Sequence, residues 1–214
     1  KSLAESLIDF SGGYRKQVNK ALSVDLAVFR SYYRQTATLQ MQTPFFELTP
    51  GPPHLVLPGE WTNLARARNY GGEMFATWNV TPRWKLSPGY SYLQMKVRRE
   101  PESNDTSIED LSGNSPKHQL RVRSQLDLPG RFEWDTTAFF VSALRTNFGI
   151  GVVVPVESYT RLDTRIGWRA TPWLELSLTG QNLLAPWRFE FPNSQQVIAT
   201  AVQRAVLGKV TWRF

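Results

Sequence analysis

Few side chains in this sequence could carry out chemistry on a substrate. His54 and His118 are its only histidines, and it contains no cysteine. A catalytic triad or a tetrahedral metal site needs such side chains at defined spacings. These two histidines lie on different segments without a spacing motif. We therefore expect an ordinary polar role for both, and the sequence predicts neither an enzyme nor a bound metal or cofactor.

An acidic stretch in the middle of the chain offers carboxylates to a cation. Its acidic residues are Glu100, Glu102, Asp105, Glu109 and Asp110. A calcium loop places its ligands at regular positions around a turn glycine, and this stretch does not follow that pattern. A solvated surface loop is favoured over a calcium site.

Aromatic residues cluster in a segment rich in proline and glycine, "QTPFFELTPGPPHLVLPGE", at 42–60. Phe45, Phe46, His54 and Trp61 lie in or beside it, and such a cluster is suited to gripping a ligand. Loops held on a rigid scaffold commonly carry function. The same side chains could instead pack on one another, and the sequence does not separate these two interpretations.

Strict alternation of polar and apolar residues is the main pattern that would position these groups. The last segment sets Val206, Gly208, Val210, Trp212 and Phe214 against Leu207, Lys209, Thr211 and Arg213, which predicts a strand with one apolar face. Turn signals divide the chain into nine such segments. We predict strands at about 4–16, 21–33, 64–80, 84–98, 117–128, 132–144 and 158–169, another after Pro172, and a last one ending at Phe214.

The connections between these strands are short and long in turn. Such alternation is typical of outer-membrane barrels, which have short periplasmic turns and longer extracellular loops. No apolar run approaches the length of about 18 residues that a transmembrane helix needs. The net charge of +7 comes from basic residues scattered along strands rather than gathered in a patch, so nucleic acid is not an expected partner.

One hairpin pattern occurs twice, as "WNVTPRWKLS" at 78–87 and "WRATPWLELS" at 168–177. In both copies a tryptophan lies three residues before a Thr-Pro turn, and a leucine lies five residues after that threonine. Proline ends a strand, and tryptophan is favoured at a membrane–water interface. Ordinary turn chemistry with aromatic cross-strand pairs would give the same pattern.

The chain resembles the C-terminal part of TonB-dependent outer-membrane receptors, in order and over nearly its whole length. The segments that carry the resemblance are "GYR" at 13–15, "LSVDLAVFRSYY" at 22–33, "ARNYGGEMFATWNVTPRWKLSPGYSYL" at 67–93, "SPKHQLRVRSQLDLP" at 115–129, "YTRLDTRIGWRATPWLELSLTGQNLL" at 159–184, "FEF" at 189–191 and "VLGKVTWRF" at 206–214.

This resemblance implies an all-β fold, an antiparallel transmembrane β-barrel segment of about nine strands in an up-and-down meander. It would be part of a larger 22-stranded barrel whose lumen holds a plug. Residues 1–214 would then be the C-terminal part of the barrel, without the plug domain and the TonB-contact segment. Lys1 is expected to lie inside a longer chain, because neither Met nor a signal peptide precedes it. Phe214 would be the family's terminal assembly signal for the membrane.

The function implied by the resemblance is active transport of a scarce solute across the Gram-negative outer membrane, most often a ferric siderophore. Expected partners are outer-membrane lipid, the plug and N-terminal barrel strands, the TonB energy-transducing complex and the ligand. The sequence departs from the family at "RFEF", 188–191, where a histidine is usual.

Inside such a barrel, a set of basic residues would line the lumen and attract an anionic ligand or pair with the plug. The set comprises Arg121, Arg123, Arg161, Arg165, Lys209 and Arg213. Cross-strand pairing is the alternative for most of them, with Asp127, Glu133, Asp135, Asp163 and Glu175 as partners.

Other functions are compatible with the same sequence pattern. A passive pore or a structural barrel would need the same strands, and a soluble β-sandwich binding module would show the same alternation. An outer-membrane enzyme is a further alternative that would depend on His118.

Overall fold

The computed structural model describes residues 3–147, 153–190 and 201–214. The chain is nearly all β, as expected. Its strands are β1 (Ser6–Gln17), β2 (Leu22–Met41), β3 (Phe45–Glu47), β4 (His54–Val56), β5 (Gly59–Thr81), β6 (Trp84–Arg99), β7 (His118–Leu128), β8 (Phe132–Val141), β9 (Leu144–Asn147), β10 (Val153–Val156), β11 (Tyr159–Arg169), β12 (Leu174–Gln181), β13 (Trp187–Phe189), β14 (Ala201–Gln203) and β15 (Ala205–Trp212). No helix in the described ranges is long and apolar enough to cross a membrane.

Nine of these strands, here called the wall strands, form one antiparallel sheet in the order β1-β2-β5-β6-β7-β8-β11-β12-β15. Each wall strand pairs with the next wall strand along the chain, which is an up-and-down meander. This confirms the predicted fold class. The sheet does not close within the described residues, and β1 and β15 form its two edges. The described strands do not form the two packed sheets of a β-sandwich.

Two wall strands are longer than the sequence pattern predicted. β2 continues to Met41 rather than ending near residue 33, and β5 begins at Gly59 rather than near residue 64. The cause is a pair of irregularities in their ladder: one extra residue in β2 at Gln35, whose φ is 57°, and one extra residue in β5 between Thr62 and Ala65. An extra residue in one strand shifts the alternation, so the period-two pattern is interrupted although pairing continues.

The last strand is shorter than predicted. The sequence pattern predicts that it continues to Phe214, whereas β15 ends at Trp212. Beyond it, the Arg213 backbone N–H donates to the Trp173 carbonyl at 2.8 Å. Phe214 therefore follows the strand rather than belonging to it, and its side chain is fully exposed.

Four short connections lie at one end of the wall and four long ones at the other, as predicted. The short ones span residues 18–21, 82–83, 129–131 and 170–173. The long ones contain structure of their own, which the sequence did not indicate. They hold the hairpins β3–β4, β9–β10 and β13–β14 and a 3₁₀ helix at Ile108–Gly113.

The strand register gives the wall one apolar face. Paired residues lie on the same face, so Leu126 shares a face with Trp84 and Trp134, and Ile166 with Trp134 and Leu178. Large side chains on this face are exposed, including Val210 at 69% and Leu178 at 57%. The charged side chains of β7, β8 and β11 lie on the other, polar face.

Apolar burial is slight within the described residues. The buried apolar side chains there are Ala65, Ala67, Val97, Ile108, Leu144 and Val156. A soluble barrel or sandwich would bury its large apolar residues in a core. Here those residues cover an exposed face, and the polar face is the one on which a loop packs.

The repeated hairpin pattern corresponds to a repeated structure. Trp78 pairs with Leu86, and Trp168 pairs with Leu176, in both cases on the apolar face close to a short turn. The turn threonines also match, because the Thr171 hydroxyl accepts the Trp173 N–H at 3.3 Å and the Thr81 hydroxyl accepts the Arg83 N–H at 3.2 Å. The two tryptophans therefore occupy the same position relative to a short turn, a place where an interfacial belt would use them.

Candidate ligand-facing surface

The basic residues singled out from the sequence lie on the polar face, on three of the wall strands. Arg121 and Arg123 belong to β7, Arg161 and Arg165 to β11, and Lys209 to β15. Arg213 follows β15 and reaches Glu175 on the same face. Some of these residues form ion pairs with carboxylates, and the others do not.

Arg165 is enclosed by carboxylates from both neighbouring strands. Its Nη1 lies 2.9 Å from Glu133 Oε2 and 3.5 Å from Asp135 Oδ2, and its Nη2 lies 2.7 Å from Glu175 Oε1. The side chain is 25% exposed. Its fork-shaped guanidinium is suited to bridging carboxylates in this way. Arg165 therefore ties β8, β11 and β12 together and is occupied by partners from the chain itself.

A second group surrounds Phe139 in the middle of the polar face. The guanidinium carbons of Arg121 and Arg161 lie 5.6 and 5.7 Å from the Phe139 ring centroid. Arg161 also forms a bidentate pair with Asp163, at 2.9 and 2.7 Å. Arg121 has the ring as its neighbour, and the ion pairs within the described ranges include neither Arg121, Arg123 nor Lys209. Of the six, these three are the cations without a carboxylate partner among the described residues.

The aromatic residues of the first long connection are partly brought together. Phe45 and Phe46 lie on β3, and His54 lies on β4. Cross-strand pairing places Phe45 and His54 on one side of this hairpin, with Phe46 on the other side beside Leu55. Phe46 is 72% exposed. The hairpin thus presents aromatic surface on both sides.

His54 is held within the hairpin, and Trp61 lies apart from it. His54 Nε2 lies 3.2 Å from Glu47 Oε2, and its Nδ1 lies 3.1 Å from the Pro52 carbonyl oxygen. Trp61 belongs to wall strand β5 and pairs with Leu39. Within the described ranges, no ring contact joins Trp61 to the hairpin aromatics.

The acidic connection after β6 differs from the expected solvated loop, because Asp105 is buried. Its Oδ1 accepts hydrogen bonds from the Ser107 N–H, the Ser107 hydroxyl and the Ile108 N–H, and its Oδ2 accepts one from the Leu39 N–H at 3.0 Å. The sequence signal for the local part is Asp followed by Ser two residues later, which is typical of an Asx turn.

The same connection is attached to β2 by side-chain amides. Gln40 Nε2 donates to the Ser103 hydroxyl at 2.9 Å, and Gln40 Oε1 accepts the Asn104 N–H at 2.7 Å. Ile108 packs against Ala65, Ala67 and Val97 of the polar face. The loop therefore folds back across the sheet, and the small alanine side chains make room for it.

The last long connection has an anchor that sequence reasoning missed. Arg188 is buried, lies 4.3 Å from the Tyr159 ring centroid and donates from Nη1 to the Thr160 carbonyl at 3.0 Å. It also pairs with Glu190 at 3.2 Å. Arg188 stands at the start of the "RFEF" segment, whose Phe191 lies outside the described residues.

His118 lies on the apolar face, away from the ligand-facing side. Tyr90 Oη and His118 Nδ1 are 2.8 Å apart, and the ring centroids of Tyr92 and His118 are 5.2 Å apart. His54 and His118 belong to different elements, β4 and β7. In the described structure, neither imidazole is hydrogen-bonded to a serine or threonine hydroxyl.

Comparison with known proteins agrees with this geometry. The family model for the β-barrel of TonB-dependent receptor-like proteins matches residues 4–183. The chain therefore belongs to the TonB-dependent receptor family, within its β-barrel domain. The resemblance seen in the sequence is confirmed, and the family is one of receptors rather than enzymes, as predicted.

A curated relative is the ferric-pyoverdine M114 receptor PbuA of Pseudomonas sp. strain M114. It is 29% identical over 127 residues, which cover 56% of this chain and 15% of the relative. The chain thus spans a small part of the length of the curated relative that it matches.

Solved structures show the same fold. The ferric-catecholate import receptor Fiu of E. coli K12 superposes with a TM-score of 0.72 at 17% identity, covering 100% of this chain and 28% of that one. The pyoverdine outer membrane receptor FpvA of Pseudomonas aeruginosa, bound to pyoverdine, gives a TM-score of 0.69 at 14% identity, covering 98% and 30%. The wall strands therefore correspond to part of a larger barrel.

Proposed function

We propose that this chain is the C-terminal part of the barrel of an outer-membrane TonB-dependent receptor that imports a ferric siderophore. The observation that carries the proposal is the wall itself, in which the family's barrel strands present an exposed apolar face on one side and ionic groups on the other. Such a wall suits lipid outside and a hydrated lumen inside. The membrane is then the Gram-negative outer membrane.

In this arrangement the short turns face the periplasm and the long connections face the exterior. β1 and β15 pair with strands of the remaining barrel, because a bilayer does not tolerate open strand edges. The plug and the TonB-contact segment belong to the rest of the receptor. Phe214, exposed after β15, serves as the assembly signal.

The ligand class is supported by the relatives. The curated relative is named as a ferric-pyoverdine receptor, and solved structures with this fold include a ferric-catecholate import receptor and a pyoverdine receptor. The exposed aromatic hairpin β3–β4 would contact the ligand at the mouth. Arg121, Arg123 and Lys209 would face an anionic ligand or the plug in the lumen, while Arg165 supports the wall.

Cysteine labelling tests which face meets lipid. This chain contains no cysteine, so single cysteines can be placed along β7 of the full-length receptor in a cysteine-free background. We expect Arg121→Cys, Arg123→Cys and Gln125→Cys to react with a water-soluble maleimide in outer-membrane preparations. Val122→Cys and Leu126→Cys should react only after denaturation. The opposite alternation would contradict the membrane-facing assignment.

Titration of the purified full-length receptor with ferric siderophores tests the proposed ligand class. We expect tryptophan fluorescence to be quenched at submicromolar concentrations by at least one class of ferric siderophore, among catecholate, hydroxamate and mixed-ligand compounds. The iron-free form of the same compound and an iron–citrate complex serve as controls. Quenching that is equal for loaded and iron-free compounds would argue against a receptor for the ferric complex.

A further inference from the structure

A basic patch lies on the apolar face, at the end of the wall where the long connections begin. We call Arg66, Arg68, Lys96 and Arg98 the outer basic patch. The register places all four on the same face as Tyr70, Tyr92 and Met74, and all four side chains are exposed. They are distinct from the basic residues of the polar face.

The patch brings like charges directly opposite one another. Arg68 pairs with Lys96, and Arg66 pairs with Arg98, across β5 and β6. Like charges in such positions destabilise a sheet. Among the described residues, the one ion pair that the patch makes is Arg66 Nη1 to Glu100 Oε1 at 3.6 Å. A bound anion would offset this repulsion.

The four side chains line a recess of about 200 Å³. Two further arginines lie on β2 beside it, because Arg30 pairs with Tyr70 and Arg34 follows on the same face. Guanidinium groups in a fixed array are well suited to phosphate oxygens, which they can bind by two parallel hydrogen bonds. The recess thus has the charge and the donors of a phosphate site.

An apolar groove of about 700 Å³ lies on the same face, directly below the patch. Gly72 has no side chain and pairs with Val28 and Tyr92, so the sheet surface is low at this point. The groove is bordered by Leu26, Val28, Tyr70, Met74, Tyr90 and Tyr92. Such a groove fits an acyl chain.

Along β5 and β6, the apolar groove, Tyr70 and the outer basic patch follow one another in the same order as the acyl chains, the interface and the head group of a lipid. Tyrosines are enriched at the membrane–water interface. Tyr70 lies between Gly72 and the patch, whereas Tyr92 borders the groove at the level of Gly72 and Tyr90 borders it two residues further from the patch. Arg68 lies two residues before Tyr70 along β5, nearer the long connection by a rise of about 7 Å. The groove therefore lies at the level of acyl chains, and the patch lies at the level of head groups.

From this arrangement we propose that the outer basic patch and the groove below it form a binding site for a phosphorylated lipid of the outer leaflet. The phosphate lies among Arg66, Arg68, Lys96 and Arg98, and one acyl chain lies over Gly72. The inference rests on the proposed function in one respect, namely that the apolar face meets the membrane.

Native mass spectrometry of the detergent-solubilised full-length receptor tests the site. The probe is bisphosphorylated lipid A, and the test variant carries Arg66→Gln, Arg68→Gln, Lys96→Gln and Arg98→Gln. Because each basic residue near an anionic lipid contributes to binding, we expect the affinity to fall about 100-fold. A variant with Arg66→Lys, Arg68→Lys and Arg98→Lys retains the charges and should remain within about tenfold of wild type.

A matched control removes the same number of charges at the opposite end of the wall. Lys16→Gln, Lys20→Gln, Arg83→Gln and Arg131→Gln replace exposed residues at the short turns, and this variant should bind lipid A as wild type does. Dephosphorylated lipid A should bind weakly to every variant. Inorganic phosphate in large molar excess should compete poorly, since it lacks the acyl chain.

Unchanged binding of lipid A by the four-glutamine variant would overturn the proposal. Full competition by inorganic phosphate would also overturn it, by indicating a simple anion site without a lipid. The ferric siderophore titration and the outer-membrane location of the same variant separate the two proposals. If both are intact while lipid binding is unaffected by the substitutions, the lipid site alone is wrong.

Discussion

Excision of the aromatic hairpin is expected to weaken binding of the ferric siderophore by about 100-fold, because buried aromatic anchors dominate the energy of most interfaces. The segment to remove is 43–57, replaced by Gly-Gly. Its ends are already adjacent, since the Gln42 N–H donates to the Pro58 carbonyl at 2.9 Å. Met41 still pairs with Gly59, so the wall remains intact. Retention of iron-loaded siderophore by the purified receptor measures the effect.

The control for this excision keeps the aromatic residues and changes only the hairpin tip. Replacing residues 50–52 with Gly-Ser-Gly leaves Phe45, Phe46 and His54 in place and should alter affinity less than about threefold. Both variants should show the heat-modifiable migration of a folded barrel. Wild-type affinity in the excised receptor would contradict the role of the hairpin in ligand capture.

Replacing Arg165 with methionine is expected to lower the free energy of unfolding by about 2 kcal/mol. The substitution leaves Glu133, Asp135 and Glu175 facing one another without the central cation that lies 2.7 to 3.5 Å from them. Arg213, at 3.7 Å from Glu175, offsets part of the loss. The loss of stability is measured as a lower urea concentration at the unfolding midpoint of the purified full-length receptor.

Arg123→Met is the matched control for Arg165. Arg123 lies on the same polar face and is also partly buried, and the ion pairs of the described residues do not include it. We expect its effect to remain below about 0.5 kcal/mol. Equal midpoints for the two variants would show that the carboxylates around Arg165 do not stabilise the wall.

The wall could be predicted from the sequence because period-two patterns report faces directly. Leu120, Val122 and Leu126 alternate with charged or polar residues, and the register places them on one face as expected. The same patterns end where a bulge interrupts them. Gln35 shifts the alternation in β2, so the period-two pattern does not indicate that the strand continues beyond it.

The attachments of the loops could not be predicted, because they join residues far apart in the chain. Asp105 binds the backbone of Leu39, and Gln40 binds Ser103. Only the local hydrogen bonds from Asp105 to Ser107 leave a sequence signal. Arg188 is a similar case, since its contact with Tyr159 depends on where the β13–β14 hairpin lies.

For the candidate ligand residues too, the sequence indicates local neighbours but not the contacts that depend on the fold. Phe45, Phe46 and His54 are close in sequence and share one hairpin, as their clustering suggests. Trp61 is equally near in sequence but belongs to β5, because the wall strand begins at Gly59. The six basic residues share one face, whereas the distinction between Arg165 and Arg123 depends on the cross-strand partners of each.

Energy-dependent uptake of iron distinguishes an active receptor from a passive pore. Cells that produce the full-length receptor containing this chain would be given a siderophore loaded with radioactive iron, with and without the energy-transducing protein TonB. The account predicts accumulation of iron only when both the receptor and TonB are present. Equal accumulation without TonB would contradict it and would indicate a passive pore.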